Sequence, residues 1–124
     1  MNTIIQDKKG EIIRLCKEHH VKKLFVFGSS VRNDFSEKSD IDFLYEIDFS
    51  NFNFDNLENI PFDPFLTIYD LKEKLETLLH KKVDLIPNQN FKNKYLKLSI
   101  EKDKTLIYGA AEYRKIFDRY IDLY

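Results

Sequence analysis

Apolar positions along the chain switch between helical and strand-like periods. Between Ile5 and His19, the residues Ile5, Ile12, Leu15 and Cys16 fall on one side of a 3.6-residue repeat with Lys and Glu opposite, which predicts an opening amphipathic helix. The run KKLFVFG is then continuously apolar and stops at Gly28, the pattern of a buried strand, and SSVRNDF after it predicts a short helix. SDIDFLYEI alternates, placing Ile41, Phe43, Tyr45 and Ile47 on one face of a strand and Asp40, Asp42, Leu44 and Glu46 on the other. Residues 48–64 mix Asn, Asp, Pro and Phe with neither period and read as a loop whose phenylalanines must find a surface to cover. A helix is expected to start between Asp63 and Asp70, with Ile68, Leu71, Leu75, Leu78 and Leu79 as its apolar stripe. KKVDLIP gives a strand stopped by Pro87, FKNKYLKLSIEKD a helix with Phe91, Tyr95 and Leu98 on its apolar face, and KTLIYG a last short strand. Beyond Gly109, Tyr113, Ile116, Phe117, Tyr120, Ile121 and Tyr124 recur at steps of three and four, a strongly amphipathic helical pattern.

A chain of 124 residues suits a single core. With 43% hydrophobic and 33% charged residues it is ordinary for a folded domain, which excludes wholesale disorder. The formal net charge of -1 gives no global reason to bind a long polyanion, so nucleic acid is a poor partner on charge grounds. Cys16 is the single cysteine, so no internal disulfide forms, and no Cys/His framework for a structural metal accompanies it. Charge interrupts the N-terminal segment too often for a signal peptide, and no apolar stretch approaches the roughly 20 residues of a membrane span. The expectation is a soluble, cytoplasmic protein with no membrane association.

The unusual feature is the pair Asp40 and Asp42 at the start of a strand that should be burying itself. Two residues apart, their side chains share a face with Cα atoms about 7 Å apart. Like charges this close need a cation, and a hard divalent ion with oxygen ligands, Mg²⁺ above all, answers that need while leaving positions for substrate phosphates. Asp84 interrupts the apolar strand Val83-Asp84-Leu85-Ile86. If that strand lies beside the one carrying Asp40, three carboxylates meet, and such a patch can hold two metal ions roughly 3.5–4 Å apart. At Gly28 the absence of a side chain lets backbone approach a phosphate, with the following N–H groups and the Ser29 hydroxyl as donors. A metal-phosphate patch is as far as these residues lead by themselves.

Gly28-Ser29, ten intervening residues, Asp40-Ile41-Asp42, and then KKVDLIP about forty residues on together resemble the minimal nucleotidyltransferases of the polymerase-beta-like superfamily. The resemblance runs from the first helix to about Gly109. It implies an α/β (α+β) fold, a small mixed sheet flanked by helices, with residues 1–109 as the nucleotidyltransferase domain and 110–124 as an extra C-terminal helix. It implies that Asp40, Asp42 and Asp84 are the catalytic and metal-binding acids for two Mg²⁺ ions, and that Gly28, Ser29, Ser30 and Arg32 bind the triphosphate of ATP. Where the family often reads Gly-Ser-Arg-Ala-Arg-Gly, this chain reads Gly28-Ser29-Ser30-Val31-Arg32-Asn33. The first arginine is replaced by Ser30 and the last glycine by Asn33, while Arg32 is retained.

Small stand-alone members resemble the antitoxin half of toxin-antitoxin pairs whose toxin is an all-helical HEPN-family ribonuclease. The implied activity is transfer of AMP from ATP to a tyrosine hydroxyl of that toxin. Three other readings stay open: transfer to a small molecule such as an aminoglycoside, neutralisation of a toxin by binding alone, and transfer to RNA, which the near-neutral charge disfavours. The C-terminal stripe offers an interface for a partner or a second copy, and the Phe-rich loop reads either as a satellite cluster or as one wall of an acceptor pocket. His19, His20 and His80, at helix ends, read as structural, and Cys16 as core filling.

Overall fold

The computed structural model describes residues 3–32, 36 and 38–109, and the predicted C-terminal helix therefore lies outside the described residues. The elements are α1 (Thr3–Asp7), α2 (Lys9–Glu18), β1 (Val21–Phe27), β2 (Ile41–Ile47), α3 (Pro64–Leu79), β3 (Val83–Pro87), α4 (Lys94–Asp103) and β4 (Thr105–Tyr108), with 3₁₀ turns at Gly28–Ser30 and Leu57–Asn59. One mixed sheet runs in the order β3-β2-β1-β4. β1 pairs antiparallel with β2 and with β4, and β2 pairs parallel with β3.

The first helix differs from expectation by a break at Lys8. Helical hydrogen bonds nevertheless run from the Lys8 N–H to the Ile4 carbonyl and from the Ile12 N–H to the Lys8 carbonyl, so α1 and α2 form a nearly continuous rod. Gly10, a poor helix former, sits just past the break. α2 and α3 cover one face of the sheet, and Ile12, Leu15, Cys16, Leu71, Leu75 and Leu79 meet Leu24, Val26, Ile41, Phe43 and Val83 in a single core. α3 starts as its sequence directs: the Asp63 side chain accepts from the N–H groups of Phe65 and Leu66, and Pro64 occupies the first turn. His19 is buried between the two helices. Its Nδ1 lies 2.7 Å from the Leu15 carbonyl oxygen and its Nε2 2.7 Å from Asp70 Oδ2, so the ring ties the end of α2 to α3.

Two expectations about packing are corrected. Tyr95 and Leu98 do not form the buried face of α4: they are 86% and 68% exposed, and Ile100 is the residue that packs inward. Of the helix expected over SSVRNDF, the described residues show only the three-residue turn Gly28–Ser30, with the Val31 and Arg32 N–H groups both reaching the Gly28 carbonyl, and residues 33–35 lie outside the described residues.

The Phe-rich loop is a satellite cluster. Phe52 meets Phe49 edge-on at 5.0 Å and Phe62 at 4.9 Å, and Phe62 stacks on His20 at 3.9 Å. Because Val21 pairs with Ile47 while Phe27 pairs with Asp42, this loop leaves β2 at the end of the sheet away from the acids. A wall of an acceptor pocket beside the acids is therefore not its position.

Candidate active site

β1 carries an apolar run into Gly28, and β2 starts immediately beside it, so the strand register places Phe27 opposite Asp42. The parallel pairing of β2 with β3 then sets Asp42 level with Asp84. Gly28, Asp42 and Asp84 thus come together at one end of the sheet from three strands or strand ends. Gly28 adopts φ +74°, and a Cβ built there would lie 2.7 Å from Asp42 Oδ2. Only glycine satisfies both the backbone conformation and the approach of the carboxylate.

The carboxyl of Asp42 is raised from its ordinary 3.8 to about 6. Partial burial is the largest cause, followed by the charge of Asp84 and hydrogen bonding to it, then the charge of Asp40; Arg32 acts in the opposite sense. The pair therefore holds a proton more firmly than either acid would alone, a measure of how strongly the site favours added positive charge.

Asp40 lies just before β2 and is exposed, as is Asp84. Among the described residues no three His, Cys, Asp or Glu side chains already converge on one point, although the charges of both Asp84 and Asp40 act on Asp42. Asp42 and Asp84 form a ready pair of hard oxygen donors, with Asp40 two residues earlier on the strand. This donor set fits a hard divalent cation, which would remove the repulsion that raises Asp42. It does not fit a soft or nitrogen-preferring metal, since among the described residues no His or Cys joins these acids in a metal-holding group.

The phosphate-turn residues divide. Ser29 is partly exposed beside the acids. Ser30 is buried, and its hydroxyl has no hydrogen-bond partner, so it does not present a donor at the surface. Arg32 Nη1 lies 3.4 Å from Asp103 Oδ2 at the end of α4, and its charge still reaches Asp42. Asp103 carries no motif signal in the sequence and was not among the expected site residues.

The chain belongs to the nucleotidyltransferase domain family, whose model matches residues 10–107. It is similar to MJ0128 of Methanocaldococcus jannaschii, which carries the provisional name protein adenylyltransferase: the two are 38% identical over 94 residues, 76% of this chain and 82% of the relative. Among solved structures it resembles a minimal nucleotidyltransferase with a TM-score of 0.61 at 23% identity, covering 85% of this chain and 95% of that one. It also resembles a chain in the complex of a tri-AMPylated HEPN toxin with its MNT antitoxin from Shewanella oneidensis, with a TM-score of 0.53 at 18% identity, covering 95% of this chain and 87% of that one. The mixed sheet with its helices is thus the fold of a minimal nucleotidyltransferase, and the chain is a nucleotidyltransferase.

Proposed function

We propose that this nucleotidyltransferase moves AMP from ATP to a tyrosine hydroxyl of a HEPN-family toxin and acts as that toxin's antitoxin. The observation that carries the reading is the meeting of Gly28, Asp42 and Asp84 at one end of the sheet. Transfer of AMP to a HEPN toxin is supported by similar proteins, one a protein adenylyltransferase by provisional name and the other a chain in the complex of an AMPylated HEPN toxin with its antitoxin. The tyrosine hydroxyl is what the family resemblance implies.

In this account the Gly28 turn admits the triphosphate close to the backbone, the Ser29 hydroxyl donates to a phosphate oxygen, and Arg32 adds positive charge at the same edge. Asp42 and Asp84, with Asp40, would hold Mg²⁺. When bound, the ion neutralises the phosphates and makes the acceptor hydroxyl a better nucleophile. The acceptor oxygen attacks the α-phosphorus, the bond to the bridging oxygen of the β-phosphate breaks, and pyrophosphate leaves with the electron pair. The hydroxyl proton passes to the carboxylate of Asp84, the exposed member of the pair.

Neutralisation by binding alone is the second reading, and the exposed apolar residues Phe65, Leu66 and Tyr69 on α3 and Tyr95 and Leu98 on α4 favour a protein contact of some kind. Labelled ATP separates the two. Label at the α-phosphate is expected to remain on the toxin while label at the γ-phosphate is released. Toxin silenced with neither label attached would reject transfer.

A further inference from the structure

We propose that Asp103 is a positioning residue for Arg32, holding its guanidinium at the phosphate side of the site so that it meets the nucleotide without first being ordered. The inference rests on the reading of the site as nucleotide-binding and adds to it a residue far from the acid motif.

Asp103 is the last residue of α4, and its side chain is only 10% exposed, whereas that of Arg32 is 49% exposed. A carboxylate this covered needs a charged partner, and Arg32 supplies it at 3.4 Å. Its backbone is pinned on both sides. α4 packs on β1 and on the Gly28–Ser30 turn. Immediately after it the chain enters β4, where Thr105 pairs with Val26 of β1 and its hydroxyl donates to the Asp103 carbonyl. Asp103 is therefore fixed relative to the turn that carries Arg32. The Arg32 N–H reaches the Gly28 carbonyl at 3.3 Å, and Gly28 lies directly against the Asp42 carboxylate, so the half-exposed guanidinium rises from the turn that adjoins Asp42. An arginine with free rotamers loses much entropy when a phosphate immobilises it; one already held by a buried carboxylate loses less.

The test is binding of α,β-methylene ATP, which cannot be cleaved between those phosphates, measured by titration calorimetry with Mg²⁺ on the full chain. Wild type, Asp103→Asn, Asp103→Glu, Arg32→Ala and the Asp103→Asn/Arg32→Ala double variant are compared, with melting temperatures to show each is folded. Asp103→Asn is expected to weaken binding about threefold to tenfold, the double variant to bind no worse than Arg32→Ala, and Asp103→Glu to recover most of the affinity. In transfer assays KM for ATP rises in the same proportion while kcat stays within about twofold. Unchanged affinity in Asp103→Asn with normal binding by wild type overturns the proposal. So does tighter binding, which would mean that Asp103 withholds Arg32, and so does strict additivity in the double variant. Absence of nucleotide binding by wild type would instead remove the nucleotide site itself, and the inference with it.

Discussion

Asp42 on β2 stands level with Asp84 on β3, and this neighbour, together with partial burial, raises the Asp42 carboxyl to about 6. A raised carboxyl pKa means that the folded state binds more protons than the unfolded chain between about pH 4 and 6, so stability of the metal-free protein falls as pH rises through that window. At neutral pH the ionised pair opposes folding. Asp42→Asn is therefore expected to melt higher than wild type at pH 7 without metal, by about 1 kcal/mol after allowance for solvent screening, and to lose the advantage below about pH 4. The same variant loses nucleotidyl transfer. Calorimetric melting across pH 3.5–7.5 checks the first claim, and a variant less stable than wild type at pH 7 would contradict it.

Mg²⁺ should reverse that instability. A ligand that binds only the folded state at ten times its Kd adds about 1.4 kcal/mol, so wild type should melt higher with Mg²⁺ at pH 7.5. Because protons compete for Asp42, the shift should shrink as pH falls below about 6. Asp42→Asn/Asp84→Asn should show no shift at either pH. A metal-induced shift that survives in the double variant would place the ion elsewhere.

Gly28 is the position at which the turn and the acid constrain each other. Alanine there is strained by φ +74° and brings Cβ to 2.7 Å from Asp42 Oδ2. Gly28→Ala is expected to cost about 1–2 kcal/mol of stability and to reduce transfer by about 10–100-fold, because Asp42 must move to relieve the contact. Retention of wild-type activity by a folded Gly28→Ala would show that the carboxylate position is not critical.

The helix layer has its own pH signature. Asp70 is held below its ordinary value, first by hydrogen bonding to Lys74 and then by hydrogen bonding to His19. A depressed carboxyl contributes stability above its unfolded pKa and loses it as pH falls through the folded value. Asp70→Asn should therefore melt below wild type at pH 6–7, and the gap should close in acid. A gap that persists unchanged at pH 3 would assign the loss to packing instead.

How much of this could be read in advance depends on where the information sits. The continuous run ending at Gly28 and the alternation from Ile41 to Ile47 are local signals, and both strands formed where those signals place them. The third acid is different in kind. Asp84 marks itself by interrupting an apolar strand, but its level pairing with Asp42 depends on β3 adding parallel to β2, a choice made by the α3 crossover and not by any residue near either acid. α4 misled the periodicity because Phe91 lies before the helix, which itself offers two apolar lines, Tyr95-Leu98 and Leu96-Ile100, and the sheet buries Ile100 of the second. Leu44 likewise falls on the face of Asp42 yet is fully buried, because one face of a sheet strand can be wet at its end and dry in its middle. His19 is legible as a structural residue at a helix end but its partner is not, and Asp103 has no signal at all. Each is defined by a partner on a distant element, Asp70 in one case and Arg32 in the other, and a partner of that sort becomes visible only when the chain is folded.

The most direct test of protein adenylylation is the intact mass of any protein that co-purifies with this one, from cells making either wild type or Asp40→Asn/Asp42→Asn. The expected result is a toxin heavier by whole adenylate increments with wild type and unmodified with the variant. A toxin held tightly and neutralised at its unmodified mass in both preparations would contradict transfer and leave binding alone as the antitoxin activity.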